Sequence, residues 1–437
     1  MKPASKISRR DFLKLAGMTA SGAFVAACSP VARPVPTPTV IQPRTVQIQI
    51  DGWAVENTNK LLETEIYKDF SKQTGIQINF VPRWEYKEAT LKSLTAAFDA
   101  GNSPYDIIDY EDELTSSLSQ AGYMVPLNDL LPADFWDDFP KVMKAYSDVW
   151  SSRDGELFRV VHNWEMPYWW YRKDWFDQKG VAVPTTWDEV RGLGQVFTDV
   201  YRGKWASEDT LIKGGYLNAY LSWITLQAGG NPFDVGDGYK AALEYIHDLM
   251  YKDQVLNPAS LQTEMLQLDQ DYVMDKVAFI RQWPIFYDNA LKPENEYWFK
   301  EEKVAVAPPP VGPGGVENST YAACWGFGLV KTAPNLGAAK EAFKFLVSPA
   351  VAVEMARTSV WYVSARKSVL AAMDGQGIAK PMKMYMDAGL VNVRPYHPKF
   401  FEAITVLENA ATPFLADQIS LDESLKRARE GMAQLGT

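Results

Sequence analysis

The chain has 437 residues, 44 Lys plus Arg against 54 Asp plus Glu, and a formal charge of −10. That balance argues against nucleic acid as a partner, since phosphate binding needs a basic face. At 47% hydrophobic and 22% charged, the composition is that of a folded globular protein, long enough for two or three core units. Two cysteines exclude a disulfide scaffold or a thiolate metal cluster. His162, His247 and His397 are too far apart to give zinc-ligand spacing, so neither a metal site nor a cofactor motif is read here.

The first elements in chain order form an address. Ser8-Arg9-Arg10-Asp11-Phe12-Leu13-Lys14 carries a twin-arginine pattern, and a mildly apolar run over 15–27 ends in Val25-Ala26-Ala27-Cys28. A basic start, a short apolar run and small residues before the cut mark an export signal over 1–27. The run is too short for an ordinary membrane-spanning helix. The plainer alternative is an amphipathic helix of the folded protein. The Val-Ala-Ala-Cys ending resembles the lipobox of bacterial lipoproteins, which makes Cys28 the lipid-attachment residue and leaves Cys324 without an intramolecular partner. Residues 28–44 contain Pro30, Pro34, Pro36, Pro38 and Pro43. Such a stretch forms neither a regular helix nor a central strand and reads as an extended tether.

From Thr45 the chain alternates strand and helix. Val46-Gln47-Ile48-Gln49-Ile50 alternates like a strand, Leu62, Ile66 and Phe70 recur like a buried helical stripe, and Gly75 reads as a helix stop. Residues 76–81 alternate again, a helix with Leu91, Leu94 and Phe98 inward stops at Gly101, and 106–109 read as a buried strand. The pattern restarts at Tyr168-Trp169-Trp170-Tyr171, followed by a short helix that stops at Gly180. Thr186 and Glu189 are spaced as a capping box, and Ser348-Pro349 opens a later helix as cap and first residue. Strand, helix, strand in this order predicts an α/β fold whose ligands sit beyond the carboxyl ends of the strands. Two such sets in one chain predict two lobes with a cleft between them.

No phosphate-cradle loop, nucleophile elbow or H-E-x-x-H helix is present. Gly312-Pro313-Gly314-Gly315 reads as a surface loop, and Gly326-Phe327-Gly328 as small residues within a strand. The acids offer more. Asp109, Glu111, Asp112 and Glu113 cluster just past a strand, and Glu165 sits among Trp164, Met166 and Trp170. Asp112 reads as a solvated loop edge, whereas Asp109 and Glu165 are expected to face the cleft. Trp53, Trp84, Trp164, Trp283, Trp325 and Trp361 all fall near strand ends or loops. For any single one, core packing is the plainer account. Together they suit a sugar, because indole faces pack on the C–H faces of pyranose rings while acids bond the hydroxyls.

The motif order resembles the family 1 extracellular solute-binding proteins, the carbohydrate-binding components of ABC importers related to maltose-binding protein. Phe70 to Ile76 is similar to the family's F-x-x-x-T-G-I. Ala-Gly-Asn-Ser-Pro and Asp-Ile-Ile within 97–108 resemble A-x-G-x-x-P-D-I, with Tyr105 intruding. Ala121-Gly122-Tyr123-Met124-Val125-Pro126-Leu127 matches A-G-x-L-x-P-L. Tyr171 to Phe176 stands for Y-N-K-D-x-F, and Pro184 to Glu189 matches P-x-T-W-D-E. Lys276-Val277-Ala278-Phe279 is like G-K-x-A-M, with Asp275 in place of the glycine, and 339–346 resembles A-x-x-F-x-x-F-L.

The resemblance implies a two-lobe type II periplasmic-binding-protein fold with a hinged cleft and chain crossings near 163, 281 and 321. The lobes would then be discontinuous, 45–163 with 282–320 and 164–281 with 321–437. It implies a monomer, no catalytic residue and no cofactor, with ABC permease subunits as partners and an extracytoplasmic, lipid-anchored location. Residue by residue, it makes Tyr110 a stacking aromatic, Glu113 or Asp109 a hydroxyl-binding acid, and Glu165 a ligand-binding glutamate. Trp283 follows the crossing near 281, where the family has a tryptophan, Trp361 falls in a late C-lobe loop that carries a stacking aromatic, and the ligand becomes an oligosaccharide. Two other readings stay open at this point: a secreted glycoside hydrolase, whose paired carboxylates the acids would supply, and a receptor for a polyamine or other organic cation caged by acids and aromatics.

Overall fold

A computed structural model describes residues 46–52, 58–83, 88–101, 103–290, 303–359 and 362–436. Trp53, Trp84, Trp361 and Cys28 lie outside the described residues. Strand β1 (Val46–Gly52) leads to helix α1 (Glu65–Thr74), which Gly75 ends with a left-handed φ of 71°. Next come β2 (Ile76–Pro82), α2 (Glu88–Asp99), β3 (Ile107–Glu111), α3 (Lys141–Trp150) and the short β4 (Val160–Val161). The second set begins with β5 (Tyr168–Arg172) and α4 (Lys173–Lys179), which ends at Gly180 with φ 65°. The Thr186–Glu189 capping box opens α5 (Trp187–Arg191). Then follow β6 (Trp205–Ser207), α6 (Tyr216–Gln227), α7 (Met265–Val273), β7 (Val277–Gln282), β8 (Val304–Ala307) and β9 (Thr320–Ala322). The last principal elements are β10 (Trp325–Leu329), α8 (Leu336–Leu346), α9 (Pro349–Thr358, capped by Ser348), α10 (Ala379–Asp387), β11 (Val391–Val393) and α11 (Phe400–Leu415).

Two sheets organise these elements. The first has the order β2-β1-β3-β10-β4, with β1 parallel to β2 and β3, and with β10 antiparallel to β3 and β4. The second has the order β8-β5-β7-β6. Helix α1 covers the first sheet together with α8, Phe70 stacking on Phe345 at 4.1 Å between ring centres. Among the described residues no helix is long and apolar enough to cross a membrane.

The pairing differs from the expected division of the chain at three places. Strand 325–329, expected in the second lobe, completes the first sheet, whereas 304–307, expected in the first lobe, pairs with β5. Near 281 the chain does not cross: β7 pairs with both β5 and β6 inside the second sheet. Between β4 and β5, and between β8 and β10, the chain passes from one sheet to the other, and Glu165 and Ala323 pair there in an antiparallel bridge, N to O 2.9 and 2.8 Å. The remaining return falls between 372 and 379, because Arg366 and Ser368 bond Asp138 of the first lobe while the Tyr385 hydroxyl donates to Ala307 O in the second.

Glycine in β10 is required by close approach. A Cβ on Gly328 would lie 2.6 Å from Met124 Cε, 2.8 Å from Phe158 O and 2.9 Å from the Tyr110 ring. The 312–315 loop is likewise packed and not free surface: Gly314 N donates to Gln227 O at 2.6 Å, and a Cβ there would meet Gly229 N at 2.4 Å.

Candidate functional site

The carboxyl ends of β1 and β3 meet at a buried charge network. Arg83 Nε donates to Asp51 Oδ2 at 2.9 Å and its Nη2 to Asp109 O at 2.6 Å, joining the two strand ends. The Asp109 carboxylate is itself turned inward and lies 2.7 Å from His162 Nε2. Beyond β3 the chain bends into a short 3-10 turn, Asp112–Leu114, where the Asp112 side chain accepts from Glu113 N at 2.9 Å.

Past these ends lies a cleft holding about 960 Å3 of space open to solvent. The first lobe contributes Glu111, Asp112, Glu113 and Trp325 to its wall, and the crossing strands contribute Glu165, Ala323 and Cys324. Tyr216, Ala219, Met265, Trp283, Ile285 and Arg394 come from the second lobe. Arg394 ties the two sides together, Nη1 donating to Asp112 Oδ1 at 2.8 Å and Nη2 to Glu113 Oε1 at 2.5 Å. Its guanidinium packs 4.9 Å from the Phe400 ring centre and 5.3 Å from that of Trp150. Burial alone would lower the Arg394 pKa, but Asp112 and then Glu113 hold it well above its ordinary value, so the cation is permanent. Asp112 also accepts from the Tyr146 hydroxyl of α3 at 2.7 Å.

Glu165 is placed by the crossing strand, which fixes its backbone against Ala323, and is partly exposed into the cleft. Burial, then the negative charge of Asp112, Glu111 and Asp109, push its carboxyl up to about 8, and a bond to Asn163 pulls weakly the other way. Its carboxyl therefore keeps its proton well above the ordinary carboxylate range, beside the Asp112 and Glu113 carboxylates that Arg394 bridges. The Cys324 thiol is pushed far up by burial and is inert at this wall.

Of the residues expected at the site, Glu113, Glu165, Trp283 and Trp325 line the cleft. Trp325 is almost fully buried, with Arg83 5.8 Å from its ring centre. Trp283 is partly buried, with Arg281 5.7 Å from its ring centre and Tyr321 at 6.4 Å. Three others belong elsewhere. Tyr110 is fully buried with Ile108, Leu114 and Phe158 in the core beneath the first sheet. Asp109 is bonded inward to His162, and Trp164 lies within the main core. Asp112, expected at a solvated edge, is 2% exposed and anchors Arg394.

Sequence reasoning missed Tyr216 and Met265, each the first residue of a helix. The Gly214-Gly215 pair before Tyr216, both with positive φ, is the local signal that could have marked the first. Nothing near Met265 signals the second. The α6 start is fixed from afar: Glu408 of α11 accepts from Gly214 N, Gly215 N and Asn218 N at 2.7, 2.8 and 3.0 Å.

Two sheet-centred lobes joined by crossing strands, with a charged and aromatic cleft at their junction, define a periplasmic-binding-protein fold of type II. The model of the family described as bacterial extracellular solute-binding protein matches residues 55–353, and the chain belongs to that family. Among solved structures it is similar to the maltose-bound MalE3 of T. maritima, with a TM-score of 0.73, 21% identity, and 89% of this chain and 100% of that one covered. An ABC transporter solute-binding protein of Agrobacterium radiobacter K84 in complex with ribitol is alike at a TM-score of 0.72 and 20% identity, covering 90% and 99%. One from Agrobacterium vitis S4 with bound D-mannitol matches at 0.70 and 20%, covering 89% and 98%. At these identities the likeness is one of fold. The osmoprotective compounds-binding protein GgtB of Synechocystis is 23% identical over 163 residues, 36% of this chain and 36% of that one, so the match spans about a third of that relative.

Proposed function

We propose that the chain is the extracytoplasmic receptor of an ABC importer, capturing a carbohydrate or polyol by lobe closure, delivering it to the permease and catalysing nothing. The observation that carries this reading is the cleft itself, where Trp283 and Trp325 share one wall system with Glu113 and Glu165 from opposite sides. Indole faces and edges suit the C–H faces of a sugar or polyol chain, and the acids suit its hydroxyls. The solutes held by the similar structures, maltose, ribitol and D-mannitol, are of this kind. A ligand touching both lobes binds the closed state preferentially and shifts the population toward it.

The same reading includes twin-arginine export and lipid attachment at Cys28. Cys28→Ser is expected to release the protein in soluble form, and a variant as firmly membrane-bound as the parent would end that part. A thermal-shift panel of mono- and oligosaccharides and polyols tests the solute class. At least one is expected to raise the melting temperature, whereas a panel in which none does would overturn the reading.

One observation favours a second reading. A carboxyl pushed up to about 8 beside other acids is also what a glycosidase needs as its general acid. Incubation with oligosaccharides separates the two, because a receptor returns them uncleaved.

A further inference from the structure

This inference rests on the carbohydrate-or-polyol reading and concerns the chemical state in which the cleft meets its solute. We propose that Glu165 binds as an uncharged carboxylic acid, donating its proton in a hydrogen bond to a solute oxygen, and that the cleft thereby selects uncharged polyhydroxylated solutes over their carboxylated or phosphorylated counterparts.

The geometry leaves Glu165 little else to be. Its Cα is pinned by two backbone bonds to Ala323 at the crossing, so the side chain cannot retreat with its strand. Glu111, Asp112 and Glu113 of the first lobe line the same cleft, and the negative charge of Asp112, Glu111 and Asp109 acts on its carboxyl. The cation that lines the same cleft, Arg394, is already shared between Asp112 and Glu113. Arg159, the next guanidinium inward, donates to the backbone oxygens of Tyr110 and Cys324 and to the Tyr146 and Ser151 hydroxyls. Among the described residues no Lys or Arg pairs with Glu165. The Cys324 thiol beside it stays neutral. A carboxyl crowded by like charges and partly buried keeps its proton above the ordinary carboxylate range.

A neutral acid differs from a carboxylate in what it can recognise. The carboxylate only accepts hydrogen bonds, whereas the acid carries one O–H that can be given to an ether or hydroxyl oxygen. The donor is present only while the proton is. An anionic solute meets Glu111, Asp112 and Glu113 in a site where the lining cation among the described residues, Arg394, is already committed, and is repelled.

The test is calorimetric titration of the full mature chain with maltose, ribitol and D-mannitol at pH 6.5 to 9.5. With the carboxyl titrating at about 8, the competent fraction of the protein, and with it the affinity, should fall about tenfold between pH 7 and pH 9. Heats measured at pH 9 in buffers of different ionisation enthalpy should show uptake of a proton on binding. Glu165→Gln keeps an N–H donor and loses the titration. Its affinity should give a flat profile from pH 7 to pH 9. D-gluconate and D-mannitol 1-phosphate should not bind measurably.

Binding by the parent that stays constant or strengthens from pH 7 to 9 overturns the proposal, the second outcome being that of a cationic partner. So does a Glu165→Gln variant that melts like the parent yet keeps the parent's fall in affinity from pH 7 to pH 9, or an anionic analogue that binds as well as the neutral one. If none of the three neutral solutes binds at any pH, the carbohydrate reading itself falls and this proposal with it, a result distinct from binding without pH dependence.

Discussion

Replacing Arg394 by Met removes the charge that bridges the cleft while keeping much of the apolar stem between Trp150 and Phe400. Asp112 and Glu113 are then left buried without their cation, at 2% and 5% exposure. Breaking a buried ion pair by removing one partner costs about 3 to 5 kcal/mol, because an uncompensated charge stays behind. Two carboxylates are stranded here, so the upper end of that range is expected at pH 8. Acid should relieve it, since protonation neutralises the stranded groups, and the loss should shrink by more than half at pH 5. Asp112→Asn with Glu113→Gln in the Arg394→Met background should recover most of the stability at pH 8. The assay is urea unfolding followed by Trp fluorescence and circular dichroism at the two pH values. An Arg394→Met protein as stable as the parent at pH 8 would refute the reasoning, as would an equal loss at both pH values that the added substitutions leave untouched.

Trp283→Ala should lower solute affinity by about 0.5 to 1.5 kcal/mol beyond its area contribution with little change in melting temperature, as read by calorimetry and thermal melts. A variant that melts much earlier yet binds normally would return Trp283 to the core. Glu165 also links pH to stability. Its folded pKa, about 8, lies above the ordinary 4.5, so its favourable contribution is complete below pH 4.5 and is lost as pH rises toward 8. Glu165→Gln should therefore be neutral to melting at pH 4 and stabilising at pH 8, by up to a few kcal/mol, and a variant that is stabilised equally at both pH values would contradict the shift. Gly328→Ala should cost about 1 to 3 kcal/mol of unfolding free energy, since its Cβ would meet Met124, Phe158 and Tyr110 at once. Parent-like unfolding would show that the contact yields easily.

The strands and helices of each lobe were legible because one face of each is buried or half-buried, which writes period 2 or 3.6 into the sequence, as in 46–50 and in the half-buried Ile66 and Phe70. Helix ends were equally legible, because Gly75, Gly180 and the Thr186–Glu189 box act through their own backbone. What failed was long-range. The insertion of 325–329 between β3 and β4 joins segments far apart in the chain, and nothing local in Trp325-Gly326-Phe327-Gly328-Leu329 specifies those neighbours. Tyr110 could have been placed correctly by parity: it shares a strand face with Ile108, which is core, and lies opposite to Asp109 and Glu111. The Asp112 and Arg394 pairing spans 282 residues and has no local trace.

The central claim, capture of a polyhydroxylated solute between the lobes, is tested most directly by calorimetric titration of the mature chain with maltose, ribitol and D-mannitol, the parent and Trp283→Ala run side by side at pH 7. At least one solute is expected to bind the parent at one site with a free energy of about −8 kcal/mol, micromolar affinity, and to bind the variant more weakly while both remain folded. Absence of heat for all three with a folded parent, or equal affinity in parent and variant, would contradict it.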